Sequence, residues 1–352
     1  INPITFETLT GNKCLVDTFD RNFQFNVEHV SLAKLADIFL VAPASADVIG
    51  KIANGIADDM LTTTIMACKC PKLISPAMNT NMFTNPIVQD NLKKLEHYGY
   101  EIIQPDSGYL ACGDTGAGKM PSEQVLLNYI LRTIAKDKDM AGIKLTVTAG
   151  PTREKLDPVR FLSNNSTGKM GYAIAKMAML RGADVTLISG KVSLEPVPFV
   201  KMVDIVSAED MYNAVIKSAK DADIIIKAAA VADYRPSDVS DEKIKKKDGD
   251  MSIPLERTKD IIGTLGSSKR DGLFLCGFSM ETEHMLDNSK VKLTKKNLDM
   301  IVANNVKVAG AGFGTDTNVV TVITKDAVEE FPMMSKEEVA DALLDRIMKA
   351  RQ

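Results

Sequence analysis

"DIFLVAPASADVIGKIANGIADDMLTTTIMACKCPKLISPAM", residues 37 to 78, decides the fold. It opens with "DIFLVAPAS", a continuous apolar run of the kind that forms strands buried on both faces. "ADVIGKIANGIADDMLTTTIMA", residues 46 to 67, repeats its apolar positions with helical period and predicts one helix. "PKLISPAM" is a second buried strand. Strand and helix in alternation predict a parallel, doubly wound sheet.

The alternation extends outward from this stretch. "VSLAKLA" predicts a short helix before it. "NPIVQDNLKKLEHYG" follows, with a proline near its start and a glycine after its end, a frame that favours a helix between them. "YEIIQPD" predicts a third strand, and "SEQVLLNYILRTIA" an amphipathic helix. "KDKDMAG", residues 136 to 142, is a polar break. A second alternation then begins: strand "IKLTVTAG", helix "STGKMGYAIAKMAMLRG", strand "ADVTLISG", helix "SAEDMYNAVIKSAKDA" and strand "DIIIKAAA". "GLFLCGFS" and "NVVTVITKD" are strand-like, and "KEEVADALLDRIMKA" predicts a terminal helix. The sequence thus divides into a domain over 1–135, a linker over 136–143 and a domain over 144–352.

Composition narrows the function classes. The 352 residues suffice for two ordinary domains, and 45% hydrophobic with 25% charged residues is a globular balance. A net charge of -3 gives no general attraction to nucleic acid or to anionic membranes. No apolar run reaches the roughly 18 residues of a membrane span, and no secretory signal is visible. Five cysteines, an odd number without framework spacing, point to a reducing cytoplasm. Cys68 and Cys70 form "CKC", but three histidines and no second cysteine pair argue against zinc there. The sequence starts at Ile1 in "NPITFETLTG", with no strand ahead of it, and is read as lacking its natural N-terminus.

"GYLACGDTGAGKM", residues 108 to 120, contains G-x-x-x-x-G-K, the outline of a phosphate-binding loop. The chemistry speaks against that reading. Met120 stands where Ser or Thr would ligate Mg²⁺, and a thioether is a poor ligand for a hard cation. Two readings remain, a glycine-rich surface loop and a mobile lid that carries Cys112 over a ligand. His29 sits at a helix start. Asn79 lies just past the carboxyl end of a strand, where α/β sheets bind ligands. Taken singly, such a histidine is usually structural and such an asparagine usually a turn or cap.

Together, "EHVSLAKLADIFLVAPASADVIGKIANGIADDML", "PAMNTNM" and "ACGDTGAGKM", in this order, resemble the flavin-dependent cysteine decarboxylases. The resemblance is to the phosphopantothenoylcysteine decarboxylase half of a bifunctional coenzyme A biosynthesis family, over about residues 1–135. It implies FMN as hydride acceptor and donor, with the protein supplying position and protons. Cys112 would protonate the enethiol, Asn79 would bind the substrate carboxylate with Met78 beside it, and His29 would assist the oxidative half. Ala42, Pro43, Ala44 and Ser45 would touch the flavin. Gly113, Gly116 and Gly118 would be lid hinges. The family's flavin-phosphate loop would fall ahead of Ile1.

The second alternation carries its own constellation. "TAGPTREKLDPVRFLSNNSTGKMG" presents loops and a helix start suited to anions, but no G-x-G-x-x-G and no placed acid for a ribose, which opposes a nicotinamide cofactor. "DEKIKKKDGD" is charged and loop-like; Lys243, Lys245, Lys246 and Lys247 form either a solvated face or a phosphate clamp. "GPTREKLDPVRFLSNNSTGKMG", "AAAVADYRP", "EKIKK", "KKNLDMIVANN" and "GFGTDTNVVTVI" together resemble phosphopantothenate–cysteine ligase over about residues 144–345.

That resemblance implies activation of 4'-phosphopantothenate by CTP, with Mg²⁺ on the phosphates, followed by attack of cysteine on an acyl-cytidylate. It implies nucleotide contacts from Lys227, Ala228, Ala229, Asp233, Lys243, Lys259, Asp260, Ile261, Ile262, Phe278, Lys292 and Lys296. Arg160 and Asn164 would lie in the substrate loop, with Asn164 acting on the acyl carbonyl. The implied fold is two doubly wound Rossmann-like domains, a flavodoxin-like flavoprotein domain followed by a nucleotide-binding ligase domain. The implied setting is cytoplasmic, with small-molecule substrates, no nucleic acid, no membrane, and a homo-oligomer built from trimeric and dimeric contacts. The competing classes are a non-catalytic flavoprotein-like regulator, from which Cys112 would tend to be lost, and a nicotinamide-dependent reductase.

Overall fold

The structure, a computed structural model, describes residues 2–18, 28–110, 113–246, 251–280, 285–304, 312 and 314–352. The chain folds as two compact units, Ile1–Ala135 and Lys136–Gln352.

The first unit runs α1 (Pro3–Thr10), α2 (Glu28–Leu35), β1 (Phe39–Ala44), α3 (Ala46–Ala53), α4 (Met60–Ala67), β2 (Lys72–Pro76), α5 (Thr80–Phe83), α6 (Pro86–His97), β3 (Glu101–Ile102), β4 (Asp106–Tyr109), β5 (Thr115–Lys119) and α7 (Glu123–Ile134). β1, β2 and β3 pair in parallel in that order. Side chains alternate across this sheet. Val41 and Ile74 therefore pack with Ile49, Ile52, Leu92 and Leu95 on one side. Leu73 packs with Ile103 and Leu126 on the other.

Two expectations change here. The single helix expected over 46–67 is two, α3 and α4. The backbone N–H of Asn54 closes the first by bonding to the Gly50 carbonyl, and Gly55 follows with φ of 72°. Asp59 then opens the second through a capping box with Thr62. The glycine-rich stretch after β3 is not a loop but an antiparallel hairpin, β4–β5, pairing Gly108 with Gly116 and Tyr109 with Thr115.

The second unit runs β6 (Lys144–Ala149), β7 (Arg153–Lys155), β8 (Phe161–Ser163), α8 (Lys169–Leu180), β9 (Asp184–Ser189), β10 (Lys201–Asp204), α9 (Ala208–Ser218), β11 (Ile224–Lys227), β12 (Tyr234–Pro236), β13 (Leu255–Arg257), α10 (Ile261–Ser267), β14 (Phe274–Met280), α11 (Met285–Lys295), β15 (Met300–Asn304), β16 (Thr317–Asn318), β17 (Val320–Ile323), β18 (Val328–Glu330), β19 (Met334–Ser335) and α12 (Lys336–Ala350). Its main sheet has the order β10-β9-β6-β11-β14-β15-β17-β18. Pairing is parallel from β10 to β15 and antiparallel at β17 and β18.

Helices cover both faces of this sheet. Ile174 and Ala178 of α8, with Leu343, Leu344 and Ile347 of α12, pack on Leu145, Val147, Ile224 and Ile226. Met211 and Val215 of α9, Leu265 of α10 and Leu293 of α11 pack on Ile188, Ile225, Leu275 and Ile301. Gly171 lets α8 lie close to β6, since a Cβ there would sit 2.6 Å from that of Ala149. From β6 the chain moves outward to β9 and β10, and from β11 it moves the other way to β14 and β15. The order therefore reverses between β6 and β11, the position at which open α/β sheets hold ligands.

The stretch expected as a linker, 136–143, is packed into this unit. Met140 is fully buried, and its N–H donates to the Arg181 carbonyl at 3.0 Å. Arg181, buried beside it, pairs with Asp139, Asp341 and Asp345. The bonds from Asp139, then those from Asp345, outweigh burial and hold the guanidinium above its ordinary range. The polar residues of "KDKDMAG" thus make contacts to the unit, and its one large apolar residue fills the core.

Candidate active sites

In the first unit the carboxyl ends of β1 and β2 carry the relevant side chains. β1 ends at Ala44, which is buried, while Pro43 and Ser45 are exposed. The Ala42–Pro43 peptide is cis. Ser45 caps α3 through Val48 N–H at 3.4 Å. Past β2, Asn79 caps the single turn of α5: its Oδ1 accepts from Asn81 N–H at 2.8 Å. That fixes the amide, and Nδ2 donates to Asp114 Oδ2 of the hairpin at 3.1 Å.

The hairpin is held down at two further points. Met78 N–H donates to the Gly118 carbonyl at 2.9 Å. A Cβ on Gly118 would lie 2.1 Å from the Met78 carbonyl oxygen, and one on Gly116 would lie 2.5 Å from Thr80 Oγ1. These two glycines permit close packing, where the sequence suggested hinges. Gly113 keeps a left-handed φ of 92° in the turn. Thr80 Oγ1, shielded from solvent, has no hydrogen-bond partner. Pro43 and Ser45, exposed at the end of β1, are placed to meet a planar ligand laid across the strand ends, whereas the Thr80 hydroxyl is covered by Gly116 of the hairpin. His29 lies half-buried on α2. Cys112 lies outside the described residues.

In the second unit two cavities open past the carboxyl end of β11, the first reaching the ends of β14 and β15 and the second reaching the segment that enters α10. One, of about 340 Å³, is lined by Asn164, Ala228, Ala229 and Phe278, joined by Lys169, Asn304 and Lys336 among others. Asn164 Nδ2 donates to the Ala230 carbonyl at 3.1 Å, which pins the amide against the end of β11. An amide nitrogen carries two hydrogens, so one bond leaves the second for a ligand. The floor is the start of α8, where Gly168 is the N-cap and supplies no side-chain cap, so the first amides of the helix favour an anion.

The other cavity, of about 370 Å³, gathers Lys227, Asp233, Lys259, Asp260, Ile261 and Lys296, with Arg257 and Thr258. Lys296 pairs with Asp260 at 2.9 Å, and Lys259 with Glu209 at 2.7 Å. Burial alone would push the Asp260 carboxyl up. The Lys296 bond, the Gly263 N–H and Lys227 outweigh it, and the carboxyl stays below its usual range. Lys227 goes the other way: burial, then repulsion from Lys296, lowers its ammonium pKa, with Asp260 and Asp233 partly opposing. Cationic groups around a cavity suit phosphate.

Of the residues expected at the nucleotide, these cavities bring together all but three. Ile262 turns into the core. Lys292 Nζ donates to Ser279 Oγ at 3.3 Å, and Ser279 lines the first cavity. Lys243 is exposed on the loop after β12 and lines neither cavity. Lys247, from the same charged run, lies outside the described residues. Arg160, expected at substrate, binds Asp157 and the Ile244 carbonyl. Lys169, Asn304 and Lys336 were not foreseen. Lys169 stands in "STGKMG", already noted as an anion loop, but nothing in "SKEEVADA" marks Lys336 as buried, its Nζ donating to the Gly312 and Thr315 carbonyls. Among the described residues no cluster of three His, Cys, Asp or Glu could hold a metal. No described helix is long and apolar enough to cross a membrane.

Comparison with known proteins agrees with this division. Residues 1–135 match the flavoprotein family, and residues 140–350 match the DNA/pantothenate metabolism flavoprotein C-terminal domain. The coenzyme A biosynthesis bifunctional protein CoaBC of Bacillus subtilis (strain 168) is 46% identical over 351 residues, spanning 99% of this chain and 86% of that protein. A cysteine/cysteine sulfinic acid decarboxylase of an unknown prokaryotic organism is 42% identical over 354 residues, spanning 99% of each. The crystal structure of the C-terminal domain of a CoaBC protein superposes with a TM-score of 0.52 at 44% identity, covering 60% of this chain and 96% of that one. The two family matches thus define a two-unit flavoprotein-family chain with an α/β sheet in its second unit. The chain belongs to the family of bifunctional coenzyme A biosynthesis proteins.

Proposed function

We propose that the second unit joins 4'-phosphopantothenate to cysteine at the expense of CTP, and that the first unit decarboxylates the 4'-phosphopantothenoylcysteine formed. The observation that carries this reading is the pair of cavities past the carboxyl end of β11. There Asn164 is pinned beside Ala228 and Ala229, next to a cavity lined by Lys227, Lys259 and Lys296.

In this reading the cationic cavity takes the triphosphate. Mg²⁺ would enter on the phosphate oxygens, because the described residues offer no carboxylate cluster of their own. The substrate carboxylate attacks the α-phosphorus, pyrophosphate leaves, and an acyl-cytidylate remains. Lys243 neutralises charge on the departing phosphates. The free amide hydrogen of Asn164 stabilises the acyl oxygen as cysteine's amine adds and CMP departs.

In the first unit, Ala42–Ser45 would hold FMN, which when bound would supply the hydride acceptor and donor. Asn79, oriented by its bond to Asn81, holds the substrate carboxylate beside Met78. His29 assists the oxidative half, and Cys112 returns a proton to the enethiol. The work is cytoplasmic, in a homo-oligomer. A direct action on free cysteine is the competing reading, favoured by the 42% identical cysteine/cysteine sulfinic acid decarboxylase.

The two ligase steps are separable. Lys243→Gln should suppress pyrophosphate release with or without cysteine. Asn164→Asp should keep activation but slow the second step by roughly a hundred- to a thousand-fold, the usual cost of one lost oxyanion donor. Mass spectrometry of quenched reactions should find the acyl-cytidylate in the Asn164 variant. Its accumulation in the Lys243 variant instead would reverse the two roles.

A further inference from the structure

The turn between β7 and β8 is tied to the loop after β12 by one carboxylate. The Asp157 side chain is fully enclosed. Its Oδ1 accepts from Val159 N–H at 2.8 Å and Arg160 N–H at 2.7 Å, bonds that close a local turn. Its Oδ2 has different partners. Arg160 Nε and Nη2 donate to it at 2.9 and 2.6 Å, and Ile244 N–H donates to it at 3.2 Å from 87 residues away. Arg160 Nη2 also donates to the Ile244 carbonyl at 2.7 Å. The N–H and the carbonyl of one residue are therefore both gripped by a single ion pair. Ser240 N–H adds a bond to the Leu156 carbonyl at 3.1 Å.

Ile244 is the residue after Lys243. It is half-buried, whereas Lys243, Lys245 and Lys246 are exposed. The charged run over 241–246 is thus clamped at Ile244, the apolar residue within it, and its lysines are left to solvent. The Oδ1 bonds would suffice for the turn; the Oδ2 bonds matter to the distant loop. We propose that Asp157, with Arg160 as its fork, is a positioning residue of the ligase reaction that anchors the loop at Ile244, leaving the exposed Lys243 side chain to swing from that anchor to a bound nucleotide. This rests on the reading that Lys243 acts on the nucleotide phosphates. Asp157 is suited to constant service. Burial would raise its carboxyl, but the Arg160 bond and the N–H groups of Val159, Arg160 and Ile244 hold it far below the usual carboxylate range. The latch is therefore charged at every working pH.

Asp157→Asn separates the two halves of the carboxylate. The remaining oxygen can still close the turn, but an NH₂ cannot accept from Arg160 or Ile244. Two measurements on the full chain test the latch. Trypsin should cut after Lys243, Lys245 or Lys246 faster in the variant than in the parent, while thermal unfolding of the second unit stays a single transition. The rate of pyrophosphate release should fall roughly ten- to a hundred-fold, as for loss of a hydrogen bond to a charged group. Adding Asp157→Asn to Lys243→Gln should cost nothing further, because both act through one side chain.

Multiplied losses in the double variant, or unchanged cleavage and rate, would overturn the proposal. If the parent itself releases no pyrophosphate, the ligase reading fails, and the cleavage arm still decides whether the latch holds the loop. Should Asp157→Asn fail to fold, Arg160→Lys keeps a cation for Asp157 but loses the fork to the Ile244 carbonyl. It should raise cleavage and lower the rate to a smaller extent, and parental values in both would refute the latch.

Discussion

Asn79 shows how much a single amide orientation decides. With Oδ1 committed to Asn81 N–H, its NH₂ end faces Asp114. Asn79→Asp would set two carboxylates against each other and place a negative charge at the position proposed for the substrate carboxylate. Carbon dioxide release should fall severely while pyrophosphate release holds its parental rate; equal loss of both would point to misfolding. Lys227 offers a second test at this scale. Its ammonium is weakened by burial and by Lys296, and a bound triphosphate restores it. Nucleotide binding should therefore take up protons at pH values below the ordinary lysine value of 10.5 and above the depressed one. Affinity should weaken as pH rises through that window. Calorimetric titration in two buffers of different ionisation enthalpy reads the uptake directly, and Lys227→Met should abolish it. Uptake that is absent in the parent, or that persists in the Lys227→Met variant, would remove Lys227 from the phosphate site.

At the scale of elements, the hairpin β4–β5 depends on Gly118. Its φ of 129° is one that other residues rarely adopt, and a Cβ would strike the Met78 carbonyl. Gly118→Ala should cost at least about 1–3 kcal/mol from the backbone conformation alone. A lowered first unfolding transition and lost decarboxylation, with ligation intact, is the expected pattern; an unchanged melting curve would show that the hairpin is not held against β2. The sequence showed the strand–helix alternation because buried parallel strands such as "DIFLVAPAS" and "DIIIKAAA" are long apolar runs between helices of clear period. It hid β7, β8, β12 and β13, which are three residues each and carry mixed polar patterns such as "REK" and "LER". It hid the break at Asn54–Asp59 because the apolar period runs straight through two local caps. Met140 was hidden by its charged neighbours. The Asp157–Ile244 bond spans 87 residues, and no local pattern signals a contact of that kind.

For the whole molecule, two core-bearing units follow one another in one chain, each with candidate site residues at its own strand ends. The candidate residues were legible where they fell in motifs, as Asn79 in "PAMN" and Asn164 in "SNNSTGKMG". They were illegible where only folding gathers them, as with Lys169, Asn304 and Lys336 around one cavity. Two sites in series predict that the product of one reaction feeds the other. The most direct test supplies the FMN-loaded full-length protein with 4'-phosphopantothenate, cysteine, CTP and Mg²⁺ and follows the mixture by mass spectrometry. Appearance of 4'-phosphopantetheine with stoichiometric CMP, pyrophosphate and carbon dioxide, after a transient of 4'-phosphopantothenoylcysteine, is the predicted result. Release of carbon dioxide from cysteine alone, with 4'-phosphopantothenate and CTP unconsumed, would contradict it.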